Sequence, residues 1–596
     1  MGSVAAVLSG APSAGSESID RMLHAAPHRG PYTEVLECGR CLLGTTNNEG
    51  RANAGLATQD GIAAAFVGAL DNAAELRSIL AGRGLGEPPS THAGLIAAAF
   101  RFFGRAMPEH LRGVFSAIVT DGEKLWCFRD HLGMKPLFYR QDERGLFVAT
   151  EAKQVVAGAG LRPEPDLDVL ERIFHDNFDD DTPSALAGVQ RLRKSTVLKG
   201  DERSLDLSTY WHPERLIETV RMSDDEVQER FDELMAQAVR RTMTGNDVVS
   251  LSGGIDSPAV AAFAAPAHLE LFGKPLEALS AVYPHLPSVD ETEYIEIVAE
   301  ALDLPLHTYE RRAQPLYDIE KWVRTLDGPV PKILTSDALE HYEHAVRRGF
   351  DTMLTGEIAE FVIDLRAYLI PHFLLHGKLD SARLFLAYQR SVGVPWTSIA
   401  RQLGDAFVPA PAQALYRRLR LPSRGGRVPH WVDSRRFREA RAELAASPRN
   451  RWRHNQLIGF IGPGLTIEAD EICQAMCGLD VRRPWADVDV WEFFLTLPAE
   501  TKYPAPGRKQ LARRLLRGKV PDAILDRQDK TGFEDSIMER IDYEALGGWL
   551  NDPVERIPGV DYEALKERLD RRDLGVSDHV WAKDLAAVHA FLSSFE

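Results

Sequence analysis

The stretch Val248-Val249-Ser250-Leu251-Ser252-Gly253-Gly254-Ile255-Asp256-Ser257 restricts this chain more than any other. An apolar strand runs into a Ser-Gly-Gly turn, and a helix is expected over Pro258–Ala265. Without a Cβ, the glycines let backbone N–H groups approach an anion, Ser252 and Ser257 add hydroxyls, and the helix N-terminus adds the positive end of its dipole. Asp256 would repel a bare phosphate, so its carboxylate makes sense as a ligand for Mg2+ that bridges to phosphates. No Gly-x-x-x-x-Gly-Lys-Ser/Thr is present, which excludes a Walker-type loop. Upstream, Val227, Phe231, Leu234 and Ala238 predict a helix over Asp224–Met243 with Ser223 as its N-cap. Helix, strand Asp247–Leu251, glycine turn and helix together open a doubly wound α/β domain.

The rest of the chain is organised differently. Its 596 residues leave room for two to four domains of about 150 residues each. Over residues 1–160, Ile62–Val67, Phe115–Thr120, Leu125–Phe128, Leu137–Tyr139 and Leu146–Thr150 read as short strands, and further strands are expected over 184–212. An Arg-rich helical stretch covers about 365–455, and another helical region follows from Gly464 to Leu516. No apolar run reaches the ~18 residues of a membrane helix, so no membrane association is expected. A net charge of −17 argues against nonspecific nucleic-acid binding. Five cysteines, with no basic signal region at Met1-Gly2-Ser3-Val4, fit reduced thiols and a cytoplasmic location.

The Ser252–Ser257 string resembles the Ser-Gly-Gly-x-Asp-Ser loop of the ATP pyrophosphatases, which cleave ATP between the α- and β-phosphates and adenylate a carbonyl oxygen. Thr355-Gly356-Glu357-Ile358-Ala359-Glu360-Phe361 is similar to the Ser-Gly-Glu-Gly-Ala-Asp-Glu turn of asparagine-synthetase-like members, with Glu360 in place of the second metal-binding Asp. Val481-Arg482-Arg483-Pro484-Trp485-Ala486-Asp487 resembles that family's Arg-x-Pro-Phe-Leu-Asp, with Arg482 and Asp487 read as structural. The resemblance implies ATP and Mg2+ as cofactors. Ser252, Gly253, Gly254 and Ser257 would hold pyrophosphate, and Asp256 and Glu360 the metal. Thr355 and Gly356 would border the nucleotide, Lys530 would stabilise charge at the α-phosphate or leaving group, and Glu357 would orient or deprotonate an attacking amine.

His28-Arg29-Gly30-Pro31, Phe128–Tyr139 and Val148–Lys153 resemble the glutaminase half of asparagine synthetase B. That chemistry requires a cysteine at position 2, where this chain has Gly2. The glutamine-holding segments are replaced by Val67-Gly68-Ala69, Gly44-Thr45-Thr46-Asn47 and Ser90-Thr91-His92-Ala93. Without ammonia made in the chain, the substrate's own amine is the simplest nucleophile, as in β-lactam synthetases and lasso peptide cyclases.

The expected fold is an α+β, Ntn-hydrolase-like (glutaminase-like) sandwich over 1–215, predicted inactive. A C-terminal α/β ATP-pyrophosphatase (adenine nucleotide α-hydrolase-like) domain follows over 216–596, with a helical insert at about 365–455. That insert and Glu357 tilt the resemblance toward a lasso cyclase. Such an enzyme adenylates an Asp or Glu side chain of a precursor core peptide and closes a macrolactam with the peptide's N-terminal amine. A recognition protein and a leader peptidase would then be its partners. Tyr368, Trp396, Tyr416, Arg417, Trp431, Arg451 and Trp452 are the candidate peptide wall. A β-lactam synthetase, an ammonia-dependent asparagine synthetase and a degenerate binding or regulatory homologue are the alternatives.

Overall fold

The computed structural model describes residues 2–9, 12–48, 54–175, 182–311, 318–329, 335–364, 368–408, 428–433, 451–457, 464–527, 531–532, 534–551 and 553–595. Among the described residues the N-terminal part forms two six-stranded antiparallel sheets. Alternation explains how they stack. Val4, Ala6 and Leu8 of the strand Ser3–Leu8 face Ala63, Ala65, Val67, Ile118 and Cys127 of the second sheet, making the layer between the sheets. Ala5 and Val7 point the other way, onto Ile19, Met22 and Leu23 of the helix Pro12–His24. On the far side, Ala64 and Phe66 pack against the helix His92–Phe103. The result is a four-layer helix–sheet–sheet–helix sandwich. The strands expected at Ile62, Phe115, Leu125 and Leu146 all form, extending to Ile62–Leu70, Gly113–Thr120, Leu125–Arg129 and Gly145–Ala149.

The second part begins with the helix Asp224–Thr242, capped as expected: the Ser223 side chain accepts from the Glu226 N–H, and Glu226 returns a bond to the Ser223 N–H. A five-stranded parallel sheet follows. Its order is Leu306–Glu310, Glu277–Val282, Asp247–Ser250, Thr352–Leu354, Asp480–Arg482. The chain therefore builds outward in one direction from the strand Asp247–Ser250 and then reverses past it. This doubly wound arrangement leaves a crevice at the carboxyl ends of the strands Asp247–Ser250 and Thr352–Leu354. The helix after the glycine turn is longer than expected, Asp256–Phe272.

In the 365–455 region the described residues form the helices Leu369–Leu375, Leu379–Ser391, Trp396–Phe407 and Arg451–Gln456. The C-terminal helix Val576–Ser593 returns to the first part, where Trp581 and Leu585 share a core with Leu170 and Phe174.

Buried charges join the two parts. The helix Gly464–Cys477 presents Glu471 to Arg29, whose Nη1 and Nη2 donate to its two carboxylate oxygens at 2.7 and 2.5 Å, and Lys135 Nζ adds a third contact at 3.1 Å. One turn earlier, Glu468 receives Arg191 at 2.6 and 2.9 Å and Arg129 at 3.3 Å. Burial alone would raise the Glu471 carboxyl, but Arg29 and Lys135 override it and hold it down to about 2. A carboxyl depressed in the fold stabilises it above the ordinary value of 4.5, and that contribution is lost as pH falls from there toward 2. Stability is therefore expected to fall by about 3 kcal/mol across that window because of this group. Glu471→Gln should flatten the acid limb of a plot of denaturation midpoint against pH; an unchanged limb would contradict the assignment.

Candidate functional site

A cavity of about 950 Å3 occupies the crevice, and nine of the ten sequence-selected site residues line it: Ser252, Gly253, Gly254, Asp256, Ser257, Thr355, Gly356, Glu357 and Glu360. The tenth, Lys530, falls outside the described residues. The two motifs meet because they follow the two strands that flank the reversal point.

The glycine loop is tied into shape by its serines. Ser257 Oγ accepts the Ser252 N–H at 2.9 Å and lies 2.9 Å from Ser252 Oγ. A Cβ at Gly254 would meet only Ser252 Oγ at 3.6 Å, which leaves the cavity side of the loop open to a ligand. Gly356 is required for a different reason. A Cβ there would overlap the backbone of Asp256 and Ser257, so only glycine lets the second motif close on the first. The Trp485 indole braces the same corner, donating to the Asp256 carbonyl at 3.1 Å.

Asp256 stands in the first turn of its helix, where the dipole favours a carboxylate. Lys509 Nζ donates to both its oxygens at 2.6 and 2.5 Å. Glu360 is close to this pair: burial and the neighbouring Asp256 push its carboxyl above the usual range, against the pull of Lys509. Two crowded carboxylates at the mouth of an anion loop suit a hard divalent cation that takes its remaining ligands from phosphate and water. Among the described residues no group of three or more His, Cys, Asp or Glu could hold a metal by itself, so the phosphates would have to complete the coordination.

Lys509 is a site residue that no motif in the sequence marks. The local signal it does carry is the run Gly507-Arg508-Lys509, cations directly before the helix Gln510–Leu515. A second group found only in three dimensions is Arg527. It donates to the Gly253 carbonyl at 3.0 Å and to Glu291 at 2.9 Å, and lies 4.1 Å over the Tyr294 ring. Glu291 in turn accepts the Gly253 N–H at 3.0 Å. The glycine loop thus already engages a carboxylate, with an arginine beside it.

Glu357 presents a half-exposed carboxylate to the cavity while Arg483 holds it from behind, Nε donating at 2.7 Å. Arg483 also binds Asp470, which takes the Tyr342 hydroxyl and the Gln474 amide, the latter at 2.7 Å. His341 also lines the cavity, and burial and Arg311 push it down to about 3. Its ring nitrogens meet Ser250 Oγ at 2.9 Å and the Tyr309 hydroxyl at 3.0 Å. A neutral imidazole engaged at both nitrogens is wall, not acid–base machinery.

The structural reading of Arg482 and Asp487 holds: Arg482 pairs with Asp71, and Asp487 with Arg241 at 3.0 Å while capping the helix Val488–Thr496. The aromatic wall divides. Trp431 is buried and donates to Asp578 at 3.1 Å, and Trp452 is buried against His372, so neither faces the cavity. Trp396 is exposed, Tyr416 and Arg417 lie outside the described residues, and among the described residues of this region Tyr388 of the helix Leu379–Ser391 is the aromatic that lines the cavity.

A family model described as asparagine synthase matches residues 230–591, and one described as a glutamine amidotransferase domain matches residues 1–211. Glutamine-hydrolyzing asparagine synthetase 3 of Bacillus subtilis is 24% identical over 484 residues, 78% of this chain and 74% of that protein. A Mycobacterium tuberculosis chain provisionally named a glutamine-hydrolyzing asparagine synthetase is 26% identical over 528 residues, 81% of this chain and 76% of that one. An amidase, chry2, of Gibberella zeae is 26% identical over 286 residues, 44% of this chain and 41% of that one.

Proposed function

The chain belongs to the asparagine synthase family, and we propose that it is an ATP-dependent, AMP-forming amide ligase that closes a macrolactam on a peptide, a lasso peptide cyclase. A side-chain carboxylate oxygen of the peptide attacks the α-phosphorus of ATP, and the bond to the β-phosphate's bridging oxygen breaks, releasing pyrophosphate. The peptide's own α-amine then attacks the acyl carbon, the bond to AMP breaks, and the amine gives up a proton to Glu357. Ser252, Gly253, Gly254 and Ser257 receive the pyrophosphate. Thr355 and Gly356 border the nucleotide and the acyl-adenylate. Asp256 and Glu360 would hold Mg2+, which when bound neutralises phosphate charge. Lys509 brings an ammonium to the same end of the cavity, and Lys530 takes the charge-stabilising role that the family resemblance implies.

The observation that carries the choice of nucleophile is Gly2. A side chain there would overlap the Thr46 carbonyl, with Ala54 Cβ and Asn47 Oδ1 at 2.8 and 2.9 Å from its Cβ. No thiol stands at this position and none fits, so the N-terminal domain is taken as inactive toward glutamine and the amine as arriving with the substrate. Holding acyl group and amine in one molecule offsets as much as ~7–11 kcal/mol of barrier. The cavity volume, about 950 Å3, lies at the top of the range of about 300–1,000 Å3 typical of small-molecule sites.

The partners would be the precursor core peptide, a recognition protein and a leader peptidase. The deciding experiment supplies ATP and Mg2+ with three acceptors: aspartate plus ammonium, a small carboxyethyl-amino acid, and a core peptide with N-terminal Gly and Asp or Glu near position 7 to 9. AMP release with a peptide product lighter by one water is expected. Turnover only with a small acid would move the assignment to an asparagine or β-lactam synthetase. No turnover with any of them would favour a binding homologue. Glu357→Gln should keep ATP–pyrophosphate exchange with the peptide and lose ring closure by about 10²-fold; equal loss of both steps would remove Glu357 from the amine step.

A further inference from the structure

The N-terminal domain keeps the signatures of a glutaminase, yet those residues point at the other half of the molecule. Arg29 of the His-Arg-Gly-Pro string is fully buried and clamps Glu471. Lys135, from the second retained string, binds the same carboxylate, and Glu151, from the third, receives Arg29 Nε. Glu471 lies on the helix Gly464–Cys477, and the preceding residue, Asp470, faces a different way. It grips Arg483, which holds Glu357.

A second line runs from the other sheet of the same domain. Asp71 pairs with Arg482, both nearly buried. Arg482 ends the last strand of the parallel sheet, and its carbonyl accepts the Thr355 N–H at 3.0 Å. Arg482 is adjacent to Arg483 in the chain. Two contacts of the N-terminal domain therefore converge on one dipeptide, and that dipeptide sets both the backbone of the Thr355 turn and the carboxylate of Glu357.

We propose that the N-terminal domain acts as a strut: Asp71 through Arg482, and Arg29 through Glu471 and the helix bearing Asp470, position Arg483 and thereby aim Glu357 into the cavity. These are positioning residues, and the inference rests on the proposed role of Glu357 in the amine step. It explains why the signature strings persist where no thiol nucleophile stands at position 2. Their guanidinium, ammonium and carboxylate groups form the joint that aligns the second site.

The test uses the full-length chain with the near-isosteric variants Asp71→Asn and Glu471→Gln, and Arg101→Gln as a control that breaks an exposed pair with Asp60 in the same domain. Hydrogen exchange is read without substrate. A strut predicts roughly tenfold faster exchange at residues 355–360 in both variants and none in the control. Ring closure is read in parallel. In both variants kcat should fall by about 10- to 100-fold with KM for ATP unchanged, the signature of misaligned groups rather than lost binding. In a Glu357→Gln background Asp71→Asn should cost less than in the parent, since part of what the strut aligns is that carboxylate. Exchange that opens at 464–482 and stays unchanged at 355–360 overturns the proposal, as do fully additive losses in the double variant. If the parent enzyme closes no ring while exchange at 355–360 still responds, the strut stands and the cyclase reading fails.

Discussion

Asp256→Ala is expected to abolish AMP release, with a loss of at least about 10³-fold. The substitution removes the carboxylate at the open end of the glycine loop and leaves the Lys509 ammonium without its two short bonds of 2.6 and 2.5 Å. An unpaired ammonium there would bind phosphate in a fixed, wrong place, so the deletion disturbs more than one ligand position. Folding should survive, because Asp256 is partly exposed in a first turn where an acidic side chain contributes only about 0.3–1 kcal/mol. Lys509→Met is the companion variant, expected to lose about 10²–10³-fold in the same assay by removing one charge from the phosphate end. Pyrophosphate release with core peptide, ATP and Mg2+ reads both. Normal turnover in Asp256→Ala would move the nucleotide site elsewhere.

The second large effect is on stability. Arg29→Ala should cost about 3–5 kcal/mol, as breaking a buried ion pair does when one partner stays behind unpaired. Arg29 is fully buried, and its loss would leave Glu471 with Lys135 alone at 3.1 Å and leave Glu151 to His28 and Lys153 at 2.6 and 3.2 Å. A lowered denaturation midpoint is the expected reading. Arg29→Ala combined with Glu471→Leu should recover part of the loss, because an apolar pair strands no charge. A single variant with an unchanged midpoint would show that the joint between the two parts carries no weight.

Each part of the site was legible to a different degree. The glycine loop could be read directly because its requirements are local: a strand end, turn residues without Cβ and a helix start lie within ten consecutive positions, and each residue type has its own backbone reason. The helix Asp224–Thr242 was legible for the same cause, since an N-cap serine and a 3.6-residue period are carried within one segment, and the structure adds the return bond of Glu226. The Thr355–Glu360 turn was found through family resemblance, and the structure adds that Gly356 is a packing necessity against the Asp256–Ser257 backbone. The aromatic wall was misjudged at Trp431 and Trp452 because a tryptophan in a helical stretch carries no local sign of which side is buried. Trp431 joins the C-terminal helix through Asp578, and Trp452 stacks on His372.

From the sequence alone follow the glycine loop between strand and helix, the doubly wound opening around it, the sandwich strands from Ile62 onward and the absence of a thiol at position 2; the strands Ser3–Leu8, Tyr32–Cys38, Cys41–Asn47 and Ala54–Gln59 and the order of the parallel sheet came from the structure. Those read from the sequence are properties of neighbouring residues or of residue identity. Tertiary structure alone decided the electrostatic frame: Lys509 on Asp256 across 253 positions, Arg483 on Glu357 across 126, and Arg29 on Glu471 across 442. A charge in a sequence has no partner until the chain is folded. Water solvates Lys, Arg and Glu equally well anywhere on a surface, so no local pattern marks which of them the fold will bury. Only the packing of the helix Gly464–Cys477 between the two halves excludes that water, and exclusion of water turns charges from the glutaminase-like strings into a buried joint between the two parts.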